Sequence, residues 1–369
     1  MKFRLKKGLL PVVFLLLSAG VLGLALFVHA SGSNTEASAL PTTSAPPDGL
    51  WNDTKESYWG NEISSKGGAE AYKEFALVTL KDPGVMQHSE AHAFGRLLFE
   101  VEGIKGISVC DMQFSMGCYH EFIGQAVAHE GTAILAQLSL VCGSLPDPVQ
   151  QSGCRHSIGH GLQAWLGYNP ADLLKGLAMC KELPGSLRDI YGGCSSGLYM
   201  EYNLRIMAAG ASAAVPDVRE VKKGNYYEPC DIVPAEDLQG CVFWLPQWWE
   251  SLPSFIDSTL ATKFSKTGTL CRTLPFADVS DACFRGIGAT VSGSTDSLQS
   301  VFDACKAASA TDRENLLCRG FVAVVYRSQQ NPDTDRVCDG LVGSGLDYCK
   351  TYQTGSAGLL DAIPLPANI

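Results

Sequence analysis

The chain has 369 residues, 46% of them hydrophobic and 18% charged, with a formal net charge of −10. That composition fits one large or two small globular domains and excludes a collagen-like, largely disordered or multispan membrane chain. The first thirty residues carry four basic side chains and no acidic one, so the remainder holds 24 basic against 38 acidic residues, which argues against nucleic acid as a partner.

In chain order, the first expected element is a membrane segment. Lys2, Arg4, Lys6 and Lys7 precede Leu9–Val28, twenty residues without a charge. As a helix rising about 1.5 Å per residue, this run covers roughly the thickness of bilayer hydrocarbon. The basic flank stays cytoplasmic, which places the rest of the chain outside. Residues 1–30 are therefore expected to be a signal-anchor with the membrane as partner. Val28-His29-Ala30 also has the small-x-small form of a cleavage site, and cleavage after Ala30 would give a secreted protein. Residues 31–50, SGSNTEASALPTTSAPPDGL, read as a flexible tether. Residues 51–369 read as the ectodomain.

Residues 84–102 read as a helix with Phe94, Leu97, Leu98 and Val101 on its apolar face. Beyond it lie all fourteen cysteines, and their spacing is regular. The residues between successive cysteines number 7, 23, 11, 25, 13, 35, 10, 29, 11, 21, 12, 19 and 10, so every odd gap is shorter than every even one. Closing the short gaps uses all the thiols; closing the long ones strands Cys110 and Cys349. In an oxidising compartment the first pairing is expected: Cys110–Cys118, Cys142–Cys154, Cys180–Cys194, Cys230–Cys241, Cys271–Cys283, Cys305–Cys318 and Cys338–Cys349. Metal ligation by cysteine is the rival reading, without the tight C-x2-C spacing it usually shows.

A long gap reads as two helices and a turn. In residues 154–180, Ile158, Leu162, Trp165 and Leu166 recur at helical spacing, and Gly167-Tyr168 ends that helix. Asn169 is a good N-cap, Pro170 suits the first helical position, and Leu173, Leu174 and Leu177 continue to Cys180. Residues 283–305 repeat the plan, whereas CRTLPFADVSDAC at 271–283 reads as a connector. The unit recurs every 31 to 47 residues between second cysteines. An all-α fold of disulfide-linked helical-hairpin repeats follows, as a solenoid or a closed α/α ring. Cys110-Asp-Met-Gln-Phe-Ser-Met-Gly-Cys118, with helices on either side, resembles the stapled junctions of secreted cysteine-rich tetratricopeptide-like repeat proteins. That resemblance implies a helical-repeat architecture for residues 110–349 and no particular activity.

Four of the seven histidines fall in two matching octets, HSEAHAFG at 88–95 and HSIGHGLQ at 156–163. His120 lies two residues after Cys118, as His156 lies two after Cys154; the later counterparts are Ser196, Phe243, Arg285 and Gly320. Each octet sets its two imidazoles about 40° apart, away from the apolar stripe. Stacked in register, the helices would bring His88, His92, His120, His156 and His160 to one cleft. Imidazoles at i and i+4 chelate from one helix turn, and imidazole suits zinc, copper or iron. A divalent transition metal held by these five residues, with one position open for water or substrate, is the first reading, and a metalloenzyme is within it. Glu90 and Glu121 are candidates to complete the shell or act as a general base; as surface carboxylates they would do neither. His129 points away from His120 and is left outside.

The second reading is a disulfide-braced cell-surface scaffold that binds protein or glycan, its histidines structural or hydrogen-bonding. Gly193-Cys194-Ser195-Ser196-Gly197 matches G-x-S-x-G, but lies at a helical junction where a nucleophile elbow needs a strand. FWLPQWWE at 243–250 reads as core between repeats, with partner binding as its alternative.

Overall fold

The computed structural model of the chain describes residues 45–47, 49–184, 192–209, 225–276 and 278–354. It divides into a short unit, Met1–Ala45, and a large one, Pro46–Ile369. The apolar run Leu9–Val28, the cleavage position after Ala30 and most of the 31–50 tether lie outside the described residues. Among the described residues no helix is long and apolar enough to cross a membrane.

The large unit is all-α. Its helices are α1 (Asp53–Lys66), α2 (Gly68–Thr79), α3 (Gly84–Glu102), α4 (Gly117–Glu130), α5 (Leu135–Ser144), α6 (Pro148–Leu166), α7 (Pro170–Glu182), α8 (Cys194–Leu204), α9 (Ile206–Ala209), α10 (Leu238–Glu250), α11 (Pro253–Ile256), α12 (Leu260–Arg272), α13 (Ser280–Ser294), α14 (Leu298–Ala308), α15 (Asp312–Ser328) and α16 (Gly343–Thr354). Local chemistry sets several boundaries. Asn52 caps α1, its side chain accepting from the amides of Thr54 and Lys55 at 3.0 Å. Asp147 caps α6 with Pro148 in the first turn, and Gly167 at φ 110° ends it. The amide of Asn169 donates to Asp172 at the start of α7. Such caps satisfy amides that the helix itself leaves unpaired.

All seven disulfides of the short-gap pairing are present. They join neighbouring helices across their connection; Cys142 near the end of α5 meets Cys154 in α6, for example. The second cysteines do not all mark helix starts, as the sequence suggested. Helix α6 begins at Pro148, six residues ahead of Cys154, because Asp147 and Pro148 supply the stronger start signal.

Helices α3, α4, α6, α8, α10, α13, α15 and α16 pack one against the next, and α1, α2, α5, α7, α12 and α14 lie outside them. The succession bends until the Gln329 side chain, just past α15, donates to the Ser115 hydroxyl at 2.9 Å, far back along the chain. Two crossings are glycine-dependent. A Cβ on Gly95 of α3 would run into the carbonyl of Cys118 in α4, and one on Gly159 of α6 into that of Cys194 in α8.

The expected apolar stripes hold with exceptions. Phe94, Leu98, Ile158, Leu162, Leu173 and Leu177 are buried, whereas Val101, Leu174 and Trp165 are exposed, Trp165 by 48%. The aromatic run on α10 is core: Trp244, Trp248 and Trp249 are all buried. Ser195 lies in the first turn of helix α8 beside the bonded Cys194, and residues 185–191 ahead of it, where a nucleophile elbow would need its strand, lie outside the described residues.

Candidate metal centre

The five histidines come from three consecutive inner helices: His88 and His92 from α3, His120 from α4, His156 and His160 from α6. The packing of α3 on α4 and of α4 on α6 brings them together. Ring centroids are 4.5 Å apart for His88 and His92, 4.8 Å for His156 and His160, and 4.5 Å for His120 and His160. His120 stands between the pairs, 5.5 Å from His92 and 6.0 Å from His156. Two sets, His88/His92/His120 and His120/His156/His160, each offer three ligand atoms within 4.8 Å of one another.

The expected cleft is a buried site. His120, His156 and His160 are nearly inaccessible, with His120 only 1% exposed, whereas His88 and His92 are partly covered. A cavity of about 300 Å³ reaches them; His88, His120 and His156 line it together with Met116, Trp244 and Phe321. The closest inner helices enclose the imidazoles because glycine at the crossings removes the side chains that would hold the backbones apart.

The outer ring nitrogens are fixed by acceptors. The Nδ1 of His88 donates to the Phe114 carbonyl at 2.8 Å, and that of His156 to the Gly192 carbonyl at 3.0 Å. The Nδ1 of His160 lies 2.9 Å from the Glu201 carboxylate, and that of His92 3.4 Å from Glu121. A carbonyl or ionised carboxylate only accepts, so the proton of each neutral ring sits on Nδ1 and Nε2 is left with a lone pair. Within each pair the Nε2 atoms then face each other, at 3.1 Å for His88 and His92 and 3.0 Å for His156 and His160. The carbonyl serving His88 belongs to a turn in which Phe114, Ser115 and Met116 all have positive φ, of 52°, 53° and 64°. Non-glycine residues rarely adopt that conformation, and it clusters at functional sites.

Burial lowers the pKa values of His88, His120 and His156. His88 is held down to about 4, chiefly by desolvation and then by His92, with the Phe114 carbonyl opposing. His120 and His156 lie well below the ordinary value for the same first reason, with neighbouring imidazoles adding to it. Both ring nitrogens of His120 are buried without a hydrogen-bond partner among the described residues. Burial works to raise Glu121, but hydrogen bonds from His92 and Gln125 outweigh it and hold the carboxyl below its ordinary value.

The two candidate carboxylates separate. Glu121 adjoins His92 and accepts from Gln125 at 2.7 Å, which suits orienting that ring. Glu90 faces the other way, in a buried ion pair with Lys55 of α1 at 2.7 Å, and neither carboxylate is a simple surface group. That pairing removes Glu90 from the histidine set. His129 is 74% exposed and pairs with Glu130, away from the cluster.

Glu201, fully buried on α8, was not singled out by the sequence. Besides His160 it accepts from the Tyr168 hydroxyl at 2.6 Å and from the Met207 amide at 3.1 and 3.2 Å. It lies seven residues after Cys194, whereas Glu121 lies three after Cys118, so the repeat register gives no signal for it. Ser196, the counterpart of His120 and His156, instead accepts from the Trp244 indole at 2.9 Å.

The chain matches no family model, no curated protein and no solved structure.

Proposed function

We propose that the large unit is a metal-binding ectodomain in which His120, His156 and His160 hold a transition-metal ion. One observation carries this reading: paired Nε2 lone pairs face each other at 3.0 Å while both Nδ1 atoms are already engaged. Two lone pairs at that distance repel unless a cation lies between them. Burial, and then the neighbouring His160, disfavour a charged His156, and a bound metal needs that ring neutral. A metal ion suits the spacing, since nitrogens bound at about 2.0–2.1 Å near the tetrahedral angle are roughly 3.3 Å apart.

Nδ1 contacts to a carbonyl and a carboxylate are the usual supports of metal-bound imidazole, fixing both tautomer and orientation. Three imidazoles leave a further coordination position, and the adjoining cavity gives water or a small ligand a way to it. Imidazole donors suit zinc, copper or iron. The scaffold reading has no comparable support, because it assigns no task to the two matched sets of facing nitrogens.

Seven disulfides suggest that the domain is extracytoplasmic. In the reading proposed here, Leu9–Val28 anchors it to the membrane and the hairpins form a curled repeat array.

Metal analysis of untagged protein purified without chelator tests the proposal. At least one tightly held ion per chain is expected, and it is lost in His156→Ala and His160→Ala. Metal-free wild-type protein that also takes up no zinc, copper or iron on titration would refute it.

A further inference from the structure

We infer that His120 bridges two metal ions as an imidazolate, so that the five histidines form one dinuclear centre. The inference rests on the metal-binding reading and adds to it the second ion and the shared ligand.

Three observations point to a bridge. The His120 ring belongs to both ligand sets, and each set supplies three donor atoms within 4.8 Å. Both nitrogens of that ring are buried and unpartnered among the described residues. The two flanking pairs are built alike, each with facing Nε2 atoms, one Nδ1 on a backbone carbonyl and the other beside a carboxylate. A neutral imidazole has one donor and one acceptor nitrogen, and a metal bound on one side leaves the other nitrogen needing an acceptor for its proton. Among the described residues no such acceptor lies beside His120. Replacing that proton by a second ion relieves both nitrogens together. The remaining pair, His88 and His92, supplies two further ligands to that ion.

The step balances simply. The first ion binds neutral His120 through one nitrogen. Binding of the second breaks the N–H bond on the other, forms a metal–nitrogen bond from the electron pair left behind, and releases one proton to solvent. Two ions so bridged stand roughly 6 Å apart, since each metal–nitrogen bond is about 2.0–2.1 Å. Glu121 and Glu201 place one carboxylate beside each half, offsetting part of the added charge.

The test loads the full chain, solubilised and freed of metal, with copper(II) and separately with zinc(II). Two ions per chain are expected by elemental analysis. Two copper(II) ions joined by imidazolate couple antiferromagnetically, so the low-temperature paramagnetic resonance signal should account for well under half of the copper present. His92→Ala should retain one copper with its full signal restored, which a merely structural role for His92 would not produce. Saturation of wild-type protein at one ion overturns the bridge but leaves the single-ion proposal standing. Two ions with full, uncoupled signal also overturn it. No bound metal at all defeats both readings.

Discussion

Glu201 has no solvent contact and holds His160 through one carboxylate oxygen while Tyr168 and the Met207 amide hold the carboxylate. Outer partners of this kind typically govern affinity by 10–100-fold. Glu201→Gln keeps the shape but weakens the acceptor for the imidazole N–H, so metal affinity should fall by about that factor with little change in helix content. Chelator competition measures the first and circular dichroism the second; unchanged affinity would remove Glu201 from the site. The acid behaviour of the metal-free protein follows from burial. Folded His88 is held at about 4 and His120 and His156 lie well below their ordinary value, whereas imidazoles in the unfolded chain titrate near 6.5. Below about pH 6.5 the unfolded state therefore binds more protons, and folding stability falls as pH drops towards 4; above that window these groups contribute no slope. The urea midpoint of chelated protein should be lower at pH 5 than at pH 7.5, and the difference should shrink in His156→Asn. The imidazole pairs were legible because i,i+4 spacing is a local property of one helix. Glu201 and the Glu90–Lys55 pair were not, because what makes them special is burial against helices distant in sequence.

At the scale of elements, the inner helices approach through bare backbone. Gly159 lies against the Cys194 carbonyl and the amide of Leu198, both fixed by α8, so an added methyl has no flexible side chain to displace. Gly159→Ala should cost about 1–3 kcal/mol, as overpacking generally does. Gly60 on α1 is the contrast: a Cβ there meets nothing within 4 Å. Gly60→Ala should stabilise by about 0.5–1 kcal/mol through helix propensity and reduced freedom of the unfolded chain. Denaturant unfolding of both variants checks the pair, and equal effects would mean that the crossing is not tight. The alternation of cysteine gaps revealed the joints between these helices because a connector between neighbouring helices is short whatever its sequence. It did not reveal where each helix starts; Asp147 and Pro148 decide that for α6. Nor did it reveal the positive-φ turn at Phe114–Met116, whose residues carry no glycine signal.

At the scale of the whole molecule, the proposed metal ligands and their supporting groups join α3, α4, α6 and α8, while α13, α15 and α16 supply none of them. Each helix touches mainly its neighbours, so stabilisation decays along the succession and need not spread evenly. An ion bound only by the folded state adds RT ln(1 + [L]/Kd), about 4 kcal/mol at a thousand times Kd. That gain acts on any opening that separates the ligand helices. An opening confined to α16 leaves the ligands in place and should be indifferent to metal. Hydrogen exchange should therefore slow on zinc addition in α3, α4, α6 and α8, with α14 and α16 unchanged. The Gln329–Ser115 contact sharpens the expectation, since it ties the end of α15 to the turn that serves His88. If that contact couples the two regions, α15 should gain protection as well and lose the gain in Gln329→Ala. Uniform slowing across all helices, surviving in Gln329→Ala, would instead mark the domain as a single cooperative unit whose openings all break the metal site.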